Sequence, residues 1–146
     1  MSTGALILLV DDSGDDVAIA PRALRRAKLG AEIRTARDGR EALEALRPAG
    51  ASPLAAPLRP SVIFLDLRMP QVDGFELLRV LRHWPDTREI PVVVVSSSAR
   101  SEDIRRSYQL GANSYLVKQF DPRDPGAFIA VAARYWIELN RIPQAG

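Results

Sequence analysis

Residues 62–70, VIFLDLRMP, decide the fold. Val62–Leu65 is apolar without polar alternation, the pattern of a strand buried on both faces, as parallel sheets require. Asp66 follows directly. The chain then runs on through Leu67, Arg68, Met69 and Pro70 without a helical pattern, so a helix cap does not explain the acid. Four further short runs flank this one: Ala5–Val10, Ala31–Ala36, Val92–Val95 and Ser114–Val117. Ala31–Ala36 (AEIRTA) alternates apolar and polar residues, which predicts an edge strand with one face more exposed. Segments of helical spacing lie between the runs at Asp15–Lys28, Gly39–Arg47, Gly74–His83 and Glu102–Leu110, and Gly126–Asn140 follows the last. Five strands alternating with five helices predict an α/β fold, with right-handed crossovers and a sheet covered on both sides.

Two segments break the pattern. Pro48–Pro60 (PAGASPLAAPLRP) carries four prolines and reads as a long surface loop. Pro21 falls within the first helical segment, where an interior proline costs about 3 kcal/mol. That helix is expected to kink there or to begin close to it.

The 146 residues fit one domain over positions 1–146. Apolar residues at 47% and charged residues at 26% exclude wholesale disorder. The chain has no cysteine, which excludes disulfides and thiolate metal sites. Its unbroken apolar stretches, Ala5–Val10 among them, are far short of the roughly 20 residues that span a bilayer, and no basic segment precedes Ala5–Val10, so neither membrane nor signal peptide is expected. A formal charge of +2 with interspersed signs argues against a nucleic-acid partner. A cytoplasmic protein is expected.

In an open parallel sheet, function gathers outside the carboxyl ends of the strands. Those ends give Asp11 and Asp12 after the first run, Asp66 after the third, Ser96 after the fourth and Lys118 after the fifth. Lys118 is one of only two lysines beside eighteen arginines. Two carboxylates about 5 Å apart repel by roughly 3 kcal/mol at an effective dielectric near 20, so three together need a cation or stay partly protonated. All-oxygen ligands suit Mg²⁺, which leaves room for phosphate oxygens. One carboxylate set against such a cation can attack phosphorus to give an acyl phosphate, with Lys118 and Ser96 placed for the equatorial oxygens.

LLVDDS at 8–13, IFLDLRMPQVDG at 63–74, PVVVVSSSA at 91–99 and GANSYLVK at 111–118 resemble the receiver domain of bacterial two-component response regulators. The resemblance covers nearly the whole chain in order and spacing. It implies a flavodoxin-like, doubly wound five-stranded sheet in the order 2-1-3-4-5. It implies that a sensor histidine kinase donates phosphate to Asp66. Asp12, Asp66 and the Arg68 main-chain carbonyl would be direct Mg²⁺ ligands, and Asp11 would act mostly through water. Lys118 would be the conserved lysine, with Ser96 as switch hydroxyl and Tyr115 as switch aromatic. Tyr115 alone reads as an ordinary half-buried strand aromatic; its spacing from Lys118 singles it out. The loop at 48–60, the GANSYL segment and the ending YWIELNRIP resemble single-domain regulators paired with bacterial and cyanobacterial phytochromes, and no output domain is expected to follow. A bacteriophytochrome-type kinase is the implied partner.

The chain departs from the family at two places. Gln119 stands where the family has proline; a cis bond before a non-proline residue costs about 2.5–4 kcal/mol, so a trans Lys118–Gln119 bond is predicted. Arg68 flanks the phosphoryl position, where it either shields or holds the phosphate or is merely solvated. In the last helix, Phe128, Val131, Ala132, Tyr135 and Leu139 form one apolar stripe, and Ile129, Ala133, Trp136 and Ile137 form another. One stripe suffices for packing on a sheet, so the surplus predicts a homodimer through this helix. His83, at a helix end beside Trp84 and Pro85, reads as solvent-facing rather than as a phosphohistidine. Two rival functions stand beside the non-enzymatic switch. A Mg²⁺-dependent aspartyl-phosphate phosphohydrolase would have a second acid two residues after the nucleophile, where Arg68 stands. A phosphorylation-inert interaction module would not need the complete set of acids, hydroxyl and lysine.

Overall fold

Parallel pairing of five apolar strands organises the molecule. The computed structural model describes residues 4–50, 56–69, 72–119 and 121–143. Strands β1 (Ala5–Val10), β2 (Ala31–Ala36), β3 (Val62–Leu65), β4 (Val92–Ser96) and β5 (Ser114–Val117) alternate with helices α1 (Gly14–Arg26), α2 (Gly39–Leu46), α3 (Gly74–His83), α4 (Ser101–Gln109) and α5 (Ala127–Arg134). The sheet order is β2-β1-β3-β4-β5, with all four pairings parallel. This is the doubly wound, flavodoxin-like arrangement expected from the sequence. The order reverses at β1, which pairs with β2 on one side and β3 on the other. Ligand sites of such sheets lie at that crevice.

Side-chain alternation divides the core into two layers. Leu8, Val10, Ile63, Leu65, Val92 and Val94 face Ala42 and Leu46 of α2 and Leu77, Leu78 and Leu81 of α3. Ile7, Leu9, Val62, Phe64, Val93 and Val95 face Ala20 and Leu24 of α1 and Ile129 and Ala133 of α5. All four residues of β3 are fully buried. The strand at the centre of the sheet thus lacks polar alternation in its sequence, whereas β2 lies at an edge and carries exposed residues between less exposed ones.

Local chemistry sets the helix starts. Ser13, Asp38 and Asp73 cap α1, α2 and α3, each accepting from the backbone N–H three residues on. Gly74, the first residue of α3, lies so close to β3 that a Cβ there would stand 2.5 Å from the Asp66 carbonyl oxygen. At the opposite, amino end of the sheet, Arg82 of α3 gathers the chain. Its Nε donates to the Gly111 carbonyl at 2.9 Å. Its Nη1 donates to the carbonyls of Thr87, Arg88 and Ile90, and its Nη2 to Asn113 Oδ1.

Several expectations need correction. Of the two alternatives for α1, a start close to Pro21 is not what is found: the helix starts at Gly14 and continues to Arg26 with Pro21 inside it. Proline removes the donor that the Val17 carbonyl would have had, and burial of Ala20, Ala23 and Leu24 outweighs that loss. The last helix is not a uniform α-helix over 126–140. It is α-helical over Ala127–Arg134 and continues as a π-helical turn over Tyr135–Leu139, closed by Asn140 N–H donating to the Tyr135 carbonyl at 2.8 Å. Within the 48–60 loop, residues 51–55 lie outside the described residues, and the rest form no helix or strand. The Lys118–Gln119 bond is trans. Among the described residues, no helix is long and apolar enough to cross a membrane.

Candidate functional site

The ladder hydrogen bonds run one residue past the strand ends, and this fixes the chemistry-bearing side chains. Asp11 N–H donates to the Ala36 carbonyl, Asp66 N–H to the Val10 carbonyl and Lys118 N–H to the Ser96 carbonyl, at 2.8–3.0 Å. Asp11 and Asp66 are buried, as is Ser96, while Asp12 is exposed. Asp11, Asp12 and Asp66 each bring a carboxylate oxygen to within 4.8 Å of the others. Into this cluster reaches the Lys118 ammonium, 3.2 Å from Asp11 Oδ2 and 3.9 Å from Asp66 Oδ2.

A fourth acid completes the arrangement. Asp16, in the first turn of α1, meets Lys118 Nζ at 2.6 Å, the shortest of its contacts. Sequence reasoning missed this residue, because an acid in a first helical turn has an ordinary explanation in the helix dipole. The available signal was its place five residues after Asp11, which returns the chain to the same rim.

Charge is unbalanced here. Burial pushes the Asp66 carboxyl up to about 6, aided by Asp11 and Asp12 and opposed by Lys118 and the Arg68 N–H. Burial raises Asp11 as well, against the Ser13 N–H and Lys118. For Lys118, burial favours the neutral amine, but its hydrogen bond to Asp16 and the charges of Asp66, Asp11 and Asp16 outweigh it and raise its pKa. One ammonium is thus shared by acids it cannot fully neutralise. The donor set is entirely oxygen, which suits a hard divalent cation.

The remaining predicted residues stand around this cluster. Ser96 Oγ accepts from the Ser98 N–H at 3.1 Å. Tyr115, half-buried against the α2/α3 layer, donates its hydroxyl to the Ser98 carbonyl at 2.8 Å. Arg68 N–H points at Asp66 Oδ1 at 3.4 Å, while its exposed guanidinium pairs with Asp103 of α4 at 3.3 Å. Asp103 also accepts from Ser98 Oγ at 2.6 Å, which with the nearby arginines holds its carboxyl below the usual range. Arg68 is therefore bridged to α4 instead of freely solvated, a partner that the sequence did not reveal. An open groove of about 520 Å³ runs over Asp12, Arg68, Met69, Phe75, Asp103 and Arg106. His83 is exposed at the far end of α3, its Nδ1 2.8 Å from the Arg79 carbonyl.

On the last helix, the stripe containing Ile129, Ala133, Trp136 and Ile137 packs on the core. Of the other stripe, Phe128 and Ala132 are half-buried, whereas Val131, Tyr135 and Leu139 are exposed by 74%, 47% and 70%. The surplus apolar face exists and is narrower than the sequence implied.

Comparison with known proteins agrees with this arrangement. The response regulator receiver domain model matches residues 7–128. A Methanothrix harundinacea protein named as a methanogenesis regulatory protein, FilR2, is 36% identical over 140 residues, spanning 94% of this chain and 87% of its own. Response regulator Rcp1 of a Synechocystis sp. is 34% identical over 140 residues, spanning 96% and 94%. The crystal structure of its Mn²⁺-bound form superimposes with a TM-score of 0.84 at 33% identity, covering 96% of this chain and 99% of that one. The phosphorylated cyanobacterial phytochrome response regulator RcpA superimposes with a TM-score of 0.86 at 33% identity, covering 97% and 100%. Motif order, sheet order and end-to-end likeness to phytochrome response regulators converge on one two-component signalling module: the chain belongs to the response regulator receiver domain family.

Proposed function

We propose that residues 1–146 form one receiver domain of a cytoplasmic regulator, phosphorylated on Asp66 by a sensor histidine kinase of the phytochrome type. The observation that carries this reading is the meeting of three carboxylate oxygens within 4.8 Å, beside one lysine, at the switch point of the sheet. Asp11, Asp12, Asp66 and the Arg68 main-chain carbonyl would hold Mg²⁺, in keeping with the all-oxygen set and the Mn²⁺-bound form of Rcp1. When bound, the ion neutralises the acids and the oxygens of the transferring phosphoryl group. An Asp66 carboxylate oxygen forms the new bond to phosphorus. The P–N bond of the donor phosphohistidine, whose other ring nitrogen carries a proton, breaks with its electron pair going to nitrogen, and the ring leaves as neutral imidazole. Lys118 and the Ser96 hydroxyl stabilise the phosphoryl oxygens. Ser96 and Tyr115 then act as the bistable element that the phosphoryl group biases.

The phytochrome partner is supported by the likeness to RcpA. The exposed face of Val131, Tyr135 and Leu139 would join a second copy of the chain across a twofold axis. Neither nucleic acid nor membrane takes part in this reading, and the protein is a switch without enzymatic turnover. Acetyl phosphate with Mg²⁺, followed by intact mass, tests it. One stable adduct that disappears in Asp66→Asn is expected. Steady hydrolysis without an adduct would instead mean a phosphohydrolase, and no reaction an inert interaction module. Light scattering at tens of micromolar tests the dimer, which a monomer mass with and without phosphate would refute.

A further inference from the structure

We infer that Asp16 is a positioning residue that holds the Lys118 ammonium away from Asp66 until a phosphoryl group draws it across. This rests on the phosphoacceptor reading of Asp66 and assigns the resting state of the same site. Lys118 Nζ lies 2.6 Å from Asp16 Oδ2 but 3.9 Å from Asp66 Oδ2. The first distance is that of a strong charge-assisted hydrogen bond; the second is about 1 Å beyond hydrogen-bond length. Asp16 is well held for this role. Its backbone N–H is capped by Ser13 Oγ in the first turn of α1, where the helix dipole favours a negative charge. On the side away from Asp66, the pair borders a cleft of about 160 Å³ lined by Leu9, Ile19, Val95 and Phe128. Apolar walls there limit screening of the contact.

When the lysine serves phosphoryl oxygens, its bond to Asp16 lengthens or breaks. Asp16 therefore stabilises the unphosphorylated form. Removing its charge shifts the balance toward the phosphorylated form by the value of one partly exposed ion pair, a factor of about two to five.

The test uses the full chain with acetyl phosphate and Mg²⁺, read by intact mass. Asp16→Asn should lower the half-saturating acetyl phosphate concentration by that factor. Asp15→Asn removes the same charge from the same helical turn at an exposed position and should leave the value unchanged. Asp16→Glu, which keeps the carboxylate, should restore wild-type behaviour. A second readout needs no phosphate. The chain has two lysines, Lys28 and Lys118, so the ¹⁵Nζ spectrum contains two ammonium signals and Lys28→Arg assigns them. The Lys118 signal, protected from solvent exchange in the resting protein, should lose that protection in Asp16→Asn alone. A wild-type protein that forms no adduct would overturn the phosphoacceptor reading. An adduct that forms equally well in Asp16→Asn, with the lysine signal unchanged, would overturn this inference alone. Slower phosphorylation of Asp16→Asn would overturn it too.

Discussion

The two ends of the sheet each contain a charged side chain withdrawn from water, and they treat it in opposite ways. At the amino end, the Arg82 guanidinium donates to four main-chain carbonyls and the Asn113 side chain. No carboxylate is among these acceptors. Burial lowers the pKa of this arginine, yet neutral dipoles satisfy its donors. At the carboxyl end, Asp11, Asp16 and Asp66 crowd one ammonium, Asp12 adds a further carboxylate beside Asp11 and Asp66, and burial holds Asp66 near 6. The first arrangement is complete in itself. The second is short of positive charge, which is the condition of a site suited to a divalent cation. Burial alone does not distinguish structure from function; the balance of partners does.

The largest test of this contrast is Asp66→Asn. It keeps the shape and removes the proposed phosphoacceptor, so the acetyl phosphate adduct should vanish from the mass spectrum while the fold, followed by circular dichroism, persists. Arg82→Ala should do the reverse. It strips several charge-assisted hydrogen bonds and should destabilise the protein by about 3–4 kcal/mol in urea unfolding. Protein that remains folded should still take up phosphate at the wild-type rate. Were Arg82→Ala to abolish phosphate uptake in folded protein, the separation of the two ends would fail.

The pH dependence of stability sharpens the comparison. The Asp66 carboxyl rises from the usual 3.8 to about 6 on folding. Between these values the native state holds a proton that the unfolded chain has released. Stability should therefore fall as pH rises from 3.8 through about 6, by about 2–3 kcal/mol in the metal-free protein. Asp66→Asn should flatten this part of the profile, and saturating Mg²⁺ should reduce it, both measurable as melting temperature against pH. A smaller effect is expected for Gly74→Ala. Its Cβ would press on the Asp66 carbonyl and the Leu67 backbone, with a loss of about 1–2 kcal/mol and weaker Mg²⁺ binding by calorimetry.

The sheet was legible because each strand announces itself within its own residues. Val62–Leu65 and Val92–Val95 are apolar and rich in β-branched or aromatic side chains, and both are buried throughout. Asp66 was legible because no helix follows it to give it a capping role. Contacts that join distant segments left no such trace. Asp16 reads locally as a helix-start acid, Arg82 as a solvated arginine, and Asp103 as a first-turn residue of α4. Each acquires its partner only when the crossovers bring helix ends onto the sheet. The π-helical turn was missed for a related reason. Propensity and period describe an isolated helix, whereas packing of α1 and α5 on the same face of the sheet decides what these helices tolerate.

The connection between α2 and β3 enters the sheet at its amino edge. The four residues of β3 then separate it from Asp66 by about 13 Å of strand rise. Length and composition can drift there without disturbing the acids, because their positions are inherited from the strand ladders. That makes the segment a suitable graft point: a fluorophore or small tag inserted at the exposed Gly50 should report on the regulator in living cells while leaving its chemistry alone.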